Sequence, residues 1–189
     1  MADLKEEDII RLVREDEWMM GILATVKKLA LPDWWVCAGF VRSKIWDIRH
    51  GYEERTPLPD VDVIYYDSSQ VGEELEKEWE KRLRSIQPAV PWSVKNQVRM
   101  HRVNGISSYS SSADAISKFP ETASALGLNL SDDNRILLCA PWGVADAVNG
   151  IVRPTPFFRE TPERLAVYRS RLIQKNWSRQ WGQITVERD

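Results

Sequence analysis

Cys37-Ala38-Gly39-Phe40-Val41-Arg42 and Leu58-Pro59-Asp60-Val61-Asp62-Val63-Ile64-Tyr65 are the two stretches of sequence that decide the predicted fold. The first belongs to a short, bulky apolar run over residues 34–38, which predicts a buried strand that meets a tight turn. Beyond the turn, apolar side chains recur at helical spacing over residues 40–50. The second stretch is dense in β-branched and aromatic residues and predicts another strand. The local order is therefore strand, glycine turn, helix and strand.

The rest of the chain alternates between helical and extended patterns. The predicted elements are a helix at 9–29, a helix at 75–86, a strand at 92–98, a short helix at 112–119, a hairpin formed by 122–130 and 135–140, and a last helix that Thr161 caps. This order predicts an α/β (α+β) protein with a sheet flanked by helices and with a C-terminal hairpin and helix. Its 189 residues suit a single domain over 1–189, with a core at about 31–141 and a C-terminal extension at about 142–189.

Composition favours a soluble, cytoplasmic protein. Apolar residues make up 43% of the chain and charged residues 29%. No segment approaches the roughly 18 apolar residues that a membrane span requires, and no basic leader precedes an apolar run. Cys37 and Cys139 lack the spacing of a zinc site or a disulfide framework, so both are predicted to be small buried hydrophobes.

The charge balance is nearly neutral overall but uneven along the chain. A net charge of −2 argues against a general nucleic-acid binder that is held by phosphate neutralisation. Residues 151–189, in contrast, hold eight lysines and arginines against four acids. This segment is locally basic and could face an anionic substrate.

Asp60 and Asp62 are the first candidates for chemistry. They are two residues apart on a predicted strand, so their carboxylates project from one face, about 6.6 Å apart along the backbone. Carboxylate oxygens suit Mg²⁺ or Mn²⁺, which complete their shells with water and substrate phosphates. The alternative is that these acids are solvated at the end of a strand, or are neutralised by neighbouring lysines and arginines.

The turn at Gly39 is the second candidate. Amides at the N-terminus of a helix attract phosphate, and a glycine lets a ligand approach the backbone closely. Arg42 would add a charge-assisted contact, unless it only faces solvent. Together, a phosphate-binding turn and a strand with two carboxylates form a coherent site for a metal-bound nucleotide.

These motifs resemble the nucleotidyltransferase superfamily, which has a fold like that of DNA polymerase beta. The chain is most similar to a bacterial branch of largely uncharacterised nucleotidyltransferase-like proteins. Five ordered motifs over residues 31–181 carry the resemblance: the Ala-Gly-Phe-Val-Arg turn, the Asp-x-Asp strand, Val94 to His101, Pro120 to Ala123, and Arg153 to Thr155.

The resemblance implies a nucleotidyltransferase-like mixed sheet and an enzyme that transfers phosphorus-containing groups. It implies a metal-dependent transfer of a nucleoside monophosphate from a nucleoside triphosphate to an acceptor hydroxyl on a small molecule, a protein or an RNA. The cofactor would be Mg²⁺ or Mn²⁺. The residues implied are Asp60 and Asp62 as catalytic metal ligands, Gly39, Arg42 and Ser43 at the phosphates, and Lys95 and Asn96 as lining residues.

Two departures from the superfamily pattern matter. Phe40 occupies a place after the glycine that is usually small, and it could crowd a triphosphate. A third carboxylate, usual on the next strand, is missing from residues 92–97, so Glu121 or Asp146 is predicted to supply any substitute. The alternative function is therefore a catalytically reduced module that binds nucleotide or protein on the same fold. The acceptor, the preferred nucleotide and the oligomeric state stay open.

Overall fold

The computed structural model describes residues 4–188 of the chain. The helices are α1 (Glu6–Arg14), α2 (Glu17–Lys27), α3 (Gly39–His50), α4 (Glu73–Ile86), α5 (Gln97–Asn104), α6 (Ser112–Ser117), α7 (Ala145–Asn149), α8 (Pro156–Arg159) and α9 (Pro162–Lys175). The strands are β1 (Trp35–Cys37), β2 (Val61–Tyr65), β3 (Trp92–Asn96), β4 (Gly127–Leu130), β5 (Ile136–Cys139), β6 (Ile151–Val152) and β7 (Thr185–Val186). Short 3₁₀ helices lie at Thr122–Ser124 and Trp177–Arg179.

A mixed five-stranded sheet forms the centre of the fold, in the order β3-β2-β1-β4-β5. The β2 and β3 strands are parallel, whereas β1 is antiparallel to both of its neighbours and β4 is antiparallel to β5. A second, two-stranded sheet pairs β6 with β7 in parallel. The mixed sheet flanked by helices, the Gly39 turn and the C-terminal helix that Thr161 caps are all confirmed.

The predicted helix at 9–29 is wrong as a single element. It divides into α1 and α2 at Asp16, whose side chain accepts a hydrogen bond of 3.0 Å from the amide of Met19 and so caps α2. The same carboxylate binds Lys44 at 2.8 Å and Arg55 at 2.6 Å. Apolar periodicity continues on both sides of the break, and for this reason it concealed the capping residue.

Two other boundaries also differ from the sequence-based prediction. The strand expected over 122–130 begins only at Gly127, after the 3₁₀ helix. The strand expected over 92–98 stops at Asn96, whose side chain accepts from the amide of Val98 and caps α5. At Asn96, a side-chain cap thus ended the strand where propensity alone did not.

α4 covers the free edge of β3. The backbone amide of Val94 donates to Oε1 of Glu80 at 3.1 Å, and that of Asn96 donates to Oε1 of Glu76 at 3.0 Å. Both glutamates are buried, with 5% and 0% exposure. Because they lie one helical turn apart on α4, they match alternate amides along the strand.

Three tryptophans join the C-terminal segment to α3. Trp46 is fully buried, and the rings of Trp177 and Trp181 pack edge-on against it, with centroids 5.8 and 5.1 Å away. This packing holds the segment after α9 beside the helix that follows the Gly39 turn. Cys37 and Cys139 are buried and free, as predicted. Within residues 4–188, no helix combines the length and the apolar character that a membrane span needs.

Candidate active site

Asp60 and Asp62 lie at the start of β2, beside the turn that leads into α3. Asp62 is directly opposite Cys37 in the antiparallel pair of β1 and β2, and Gly39 begins α3 two residues after Cys37. Burial raises the pKa of the Cys37 thiol well above its ordinary value, and the negative charges of Asp62 and Asp60 raise it further. The two aspartates and the turn therefore meet at one end of the sheet.

The two carboxylates repel each other. Burial raises the pKa of Asp62 to about 6, and the charge of Asp60 adds to this effect. A hydrogen bond from Ser93 and the positive charges of Lys175 and Arg171 act in the opposite direction. A half-buried carboxylate next to a second acid favours a bound cation, because a cation compensates both charges.

The donor set of this pair fits a hard divalent cation. No lysine, arginine or histidine within residues 4–188 forms an ion pair with Asp60 or Asp62 within 4.0 Å, so the carboxylates are available. Two carboxylates are a number that Mg²⁺ accepts, since its remaining ligands are water and substrate phosphate. In the same part of the chain, no group of three or more histidine, cysteine, aspartate or glutamate side chains could hold a metal ion.

The turn leaves two backbone donors without a partner in the described chain. Ala38 has φ 55° and ψ −115°, a conformation that glycine adopts far more readily than alanine. Its carbonyl accepts from the amides of Val41 and Arg42, at 3.1 and 3.0 Å. The amides of Gly39 and Phe40 donate to no acceptor in residues 4–188, so they are free to bind an anion.

Phe40 does not crowd this turn. Its side chain is 1% exposed and packs in the core against Trp18, with ring centroids 5.8 Å apart. The bulk that departs from the superfamily pattern therefore points into the protein interior.

Arg42 lies inside the fold rather than at its surface. Its guanidinium stacks on Trp46 and Trp177, at 4.9 and 4.6 Å from the ring centroids, and its Nη1 donates to Ser124 Oγ at 2.7 Å. Burial lowers the pKa of Arg42 to about 10, and the nearby charge of Glu121 partly opposes that shift. Nη2 lies 3.6 Å from the position that a Cβ on residue 39 would take. Arg42 thus supports the turn from beneath.

Ser43, one turn further along α3, is also buried. It is 3% exposed, and its hydroxyl has no hydrogen-bond partner among the residues that the structure describes. The phosphate-binding roles of Arg42 and Ser43 remain predictions.

Lys95 and Asn96 are occupied by contacts within the protein. Lys95 Nζ lies 3.4 Å from Oε2 of the buried Glu76. The amide group of Asn96 donates to the carbonyls of Asp67 and Gln70, both at 2.8 Å. Because the chain itself uses these polar groups, the expectation that both residues line a nucleotide site stays a prediction.

Glu121 and Asp146 are bound by arginines. Glu121 is fully buried and accepts from Arg171 Nε at 2.6 Å. Asp146 accepts from the hydroxyl of Thr122 at 2.6 Å and pairs with Arg153 at 3.1 Å. The prediction that one of these acids joins Asp60 and Asp62 is wrong for the residues described, because no such cluster of three exists there.

Sequence reasoning missed three residues near the site: Arg171, Lys175 and Trp177. The one signal for Arg171 and Lys175 was the excess of positive charge over residues 151–189, and Trp177 had no signal. Their distance along the chain from Asp62 left no local pattern to detect.

Comparison with known proteins agrees with this geometry. The chain matches the nucleotidyltransferase family over residues 24–186. An NMR structure described as revealing a CCA-adding enzyme head domain is 38% identical, with a TM-score of 0.85 over 96% of this chain and 95% of that one.

More distant structures share the fold. A Thermotoga maritima CCA-adding enzyme complexed with tRNA is 13% identical, with a TM-score of 0.56, and a CCA-adding enzyme with ATP is 14% identical, with a TM-score of 0.54. The matches cover 97% and 94% of this chain but 42% of each of those enzymes. Among proteins of curated function, none matches significantly. The match to the family over most of its length establishes that this chain belongs to the nucleotidyltransferases.

Proposed function

We propose that this nucleotidyltransferase is metal-dependent and moves a nucleoside monophosphate from a nucleoside triphosphate to an acceptor hydroxyl. The acceptor hydroxyl would lose its proton to water and its oxygen would form a bond to the α-phosphorus, while the bond between the α-phosphorus and pyrophosphate breaks. The observation that supports this proposal most directly is the Asp60–Asp62 pair, which lies beside the free amides of Gly39 and Phe40 and has no ion-pair partner among residues 4–188.

Each group of residues in the site would have its own role. The Gly39 and Phe40 amides would bind phosphate oxygens, since they are donors that the protein does not use. Asp60 and Asp62 would hold Mg²⁺ or Mn²⁺, and such a cation supplies compensation for the charge that develops as pyrophosphate leaves. Arg42 would keep the turn in place from below through its contacts with Trp46 and Ser124.

A second candidate is a module that binds nucleotide without turnover. It is favoured by the pairing of Glu121 with Arg171 and of Asp146 with Arg153, which occupies both acids that could have completed a larger carboxylate cluster. In this case the protein would bind a triphosphate but release no pyrophosphate.

The experiment that separates the two candidates measures Mn²⁺-dependent pyrophosphate release from ATP, CTP, GTP and UTP. We expect release with at least one nucleotide, and a fall of at least about a hundredfold in Asp60→Asn and Asp62→Asn, because each removes a ligand for the charge-compensating cation. Asp132→Asn, an exposed acid in the β4–β5 turn, is the matched control and should retain full release. Nucleotide binding without release by the unmodified protein would establish the module instead.

RNA ends are the first acceptors to test. The structural relatives of this fold include enzymes in complex with ATP, with CTP and with tRNA. Incubation of the chain with a labelled triphosphate and a tRNA, a protein mixture or small hydroxyl compounds would show which class becomes labelled.

A further inference from the structure

Arg171 on α9 is held in a way that leaves its outer donors free. Its Nε donates to Oε1 of the fully buried Glu121 at 2.6 Å. Within residues 4–188, Nη1 and Nη2 bind no acceptor, and the side chain is 32% exposed. A guanidinium that is fixed through Nε and presents both Nη groups is preorganised for a phosphate, because little conformational entropy remains to be lost.

The same face of α9 carries a second cation. Tyr168, Arg171 and Lys175 follow one another at spacings of three and four residues, so they share one side of the helix. Tyr168 is fully buried and its hydroxyl donates to the carbonyl of Val152 at 3.2 Å, which fixes the orientation of this side. The Cζ atoms of Arg171 and Arg42 lie 6.0 and 4.6 Å from the ring centroid of Trp177, so this face of α9 is on the side of the Gly39 turn.

These cations do not neutralise the aspartates. No ion pair joins Arg171 or Lys175 to Asp60 or Asp62 within the described chain. Two carboxylates repel a polyphosphate, and cations that remain separate from them can offset this repulsion while still binding the phosphate. A polyphosphate could therefore bind the α9 cations at one end and lie beside the aspartate pair at the other.

We propose that Arg171 and Lys175 form a phosphate-binding arm on α9, which binds the part of the triphosphate that leaves as pyrophosphate. Glu121 is then a positioning residue that holds Arg171, rather than a metal ligand. This inference rests on the proposed function for its substrate, but it is tested by binding alone.

The experiment is calorimetric titration of the full chain with inorganic pyrophosphate in the presence of Mg²⁺, at two salt concentrations. The variants are Arg171→Gln, Arg171→Lys and Lys175→Gln. Arg169→Gln is the control, because Arg169 lies on another face of α9 and lines a separate groove of 620 Å³ with Leu172 and Ile173. Each variant is also melted thermally.

We expect the Kd for pyrophosphate to rise at least about tenfold in Arg171→Gln, as for loss of a charge-assisted hydrogen bond. Arg171→Lys should be intermediate, since it keeps the charge and loses the planar pair of donors. Lys175→Gln should raise the Kd about threefold, and Arg169→Gln should change it less than about twofold. Higher salt should weaken binding by the unmodified chain more than by Arg171→Gln.

The proposal is overturned if the unmodified chain does not bind pyrophosphate, or if Arg171→Lys and Lys175→Gln both bind it like the unmodified chain. These two variants decide the outcome even if Arg171→Gln does not fold. Pyrophosphate release from nucleotides in the same proteins separates this result from the proposed function. If nucleotides release pyrophosphate but the variants bind pyrophosphate like the unmodified chain, only the proposed phosphate-binding arm is contradicted. If the variants weaken pyrophosphate binding but no nucleotide releases pyrophosphate, only the proposed transferase function is contradicted.

Discussion

Trp181 donates a hydrogen bond of 2.9 Å from its Nε1 to Oδ1 of Asp47, a residue of α3 that lies 134 positions earlier. Asp47 also accepts from the amide of Thr56 at 2.9 Å and from its hydroxyl at 2.7 Å. One buried carboxylate therefore joins α3, the loop that leads to β2, and the C-terminal segment. These are the parts of the chain that surround the candidate site.

Asp47→Ala should destabilise the fold strongly. It leaves three donors without an acceptor, and a buried unpaired donor costs roughly 1–3 kcal/mol, so we expect the free energy of unfolding to fall by about 3 kcal/mol. Urea denaturation measures this change. Trp181→Phe is the control, since it removes one donor and keeps an aromatic ring, and it should cost less than Asp47→Ala. Equal losses would contradict the role of Asp47 as a shared acceptor.

Ala38→Gly should stabilise the protein. Ala38 adopts φ 55° and ψ −115° at the turn before α3, and relief of such strain outweighs the added chain entropy, for a gain of about 1 kcal/mol. The melting temperature reports the change. Ala24→Gly in α2, an exposed helical position, should instead lower stability by about 1 kcal/mol. A loss of stability in both variants would show that the turn is not strained.

Asp16 should make the free energy of unfolding depend on pH in the acidic range. Burial disfavours its charged form, but hydrogen bonds from Arg55, Lys44 and the amide of Met19 outweigh this effect and lower the pKa from 3.8 to about 2. The folded pKa is thus below the unfolded one, so Asp16 contributes about 2 kcal/mol above pH 5, and this contribution is lost as the pH falls toward 2.

The measurement for Asp16 is urea unfolding between pH 6 and pH 2.5. Asp16→Asn keeps a side chain that can cap α2, so it should be less stable than the unmodified chain at pH 6 and should approach it at low pH. If the free energies of unfolding of the two proteins changed with pH in parallel, the contribution of Asp16 to the pH dependence would be ruled out.

Lys95→Gln should leave nucleotide affinity within about twofold, because Lys95 pairs with Glu76. Asn96→Ala should lower the free energy of unfolding, since it removes two hydrogen bonds of 2.8 Å and the cap of α5. Fluorescence titration with a nonhydrolysable triphosphate measures the first effect and thermal melting the second. A Lys95→Gln protein with at least tenfold weaker affinity would restore the role that the sequence predicts for this lysine.

Much of the fold could be predicted from sequence because its signals are local. The bulky run before Gly39 predicted β1, and the β-branched run after Asp60 predicted β2, because strand propensity acts over a few residues. Thr161 predicted the start of α9 for the same reason, since a cap interacts with amides two or three positions away.

The rest depends on contacts between distant parts of the chain. Arg42 is buried because Trp177, 135 positions later, stacks on it, and Arg171 is fixed by Glu121, 50 positions earlier. No spacing rule relates such residues. α5 also escaped prediction, because its apolar positions follow no helical period and its cap, Asn96, belongs to the preceding strand.

The two glutamates of α4 that bind the edge of β3 also bear on association between molecules. An exposed strand edge can recruit a strand from another chain, which leads to aggregation or to intermolecular sheets. Here Glu80 and Glu76 already occupy the amides of Val94 and Asn96. An incoming strand would have to displace two buried carboxylates, so this side of the sheet is protected against strand addition without a proline or a bulge.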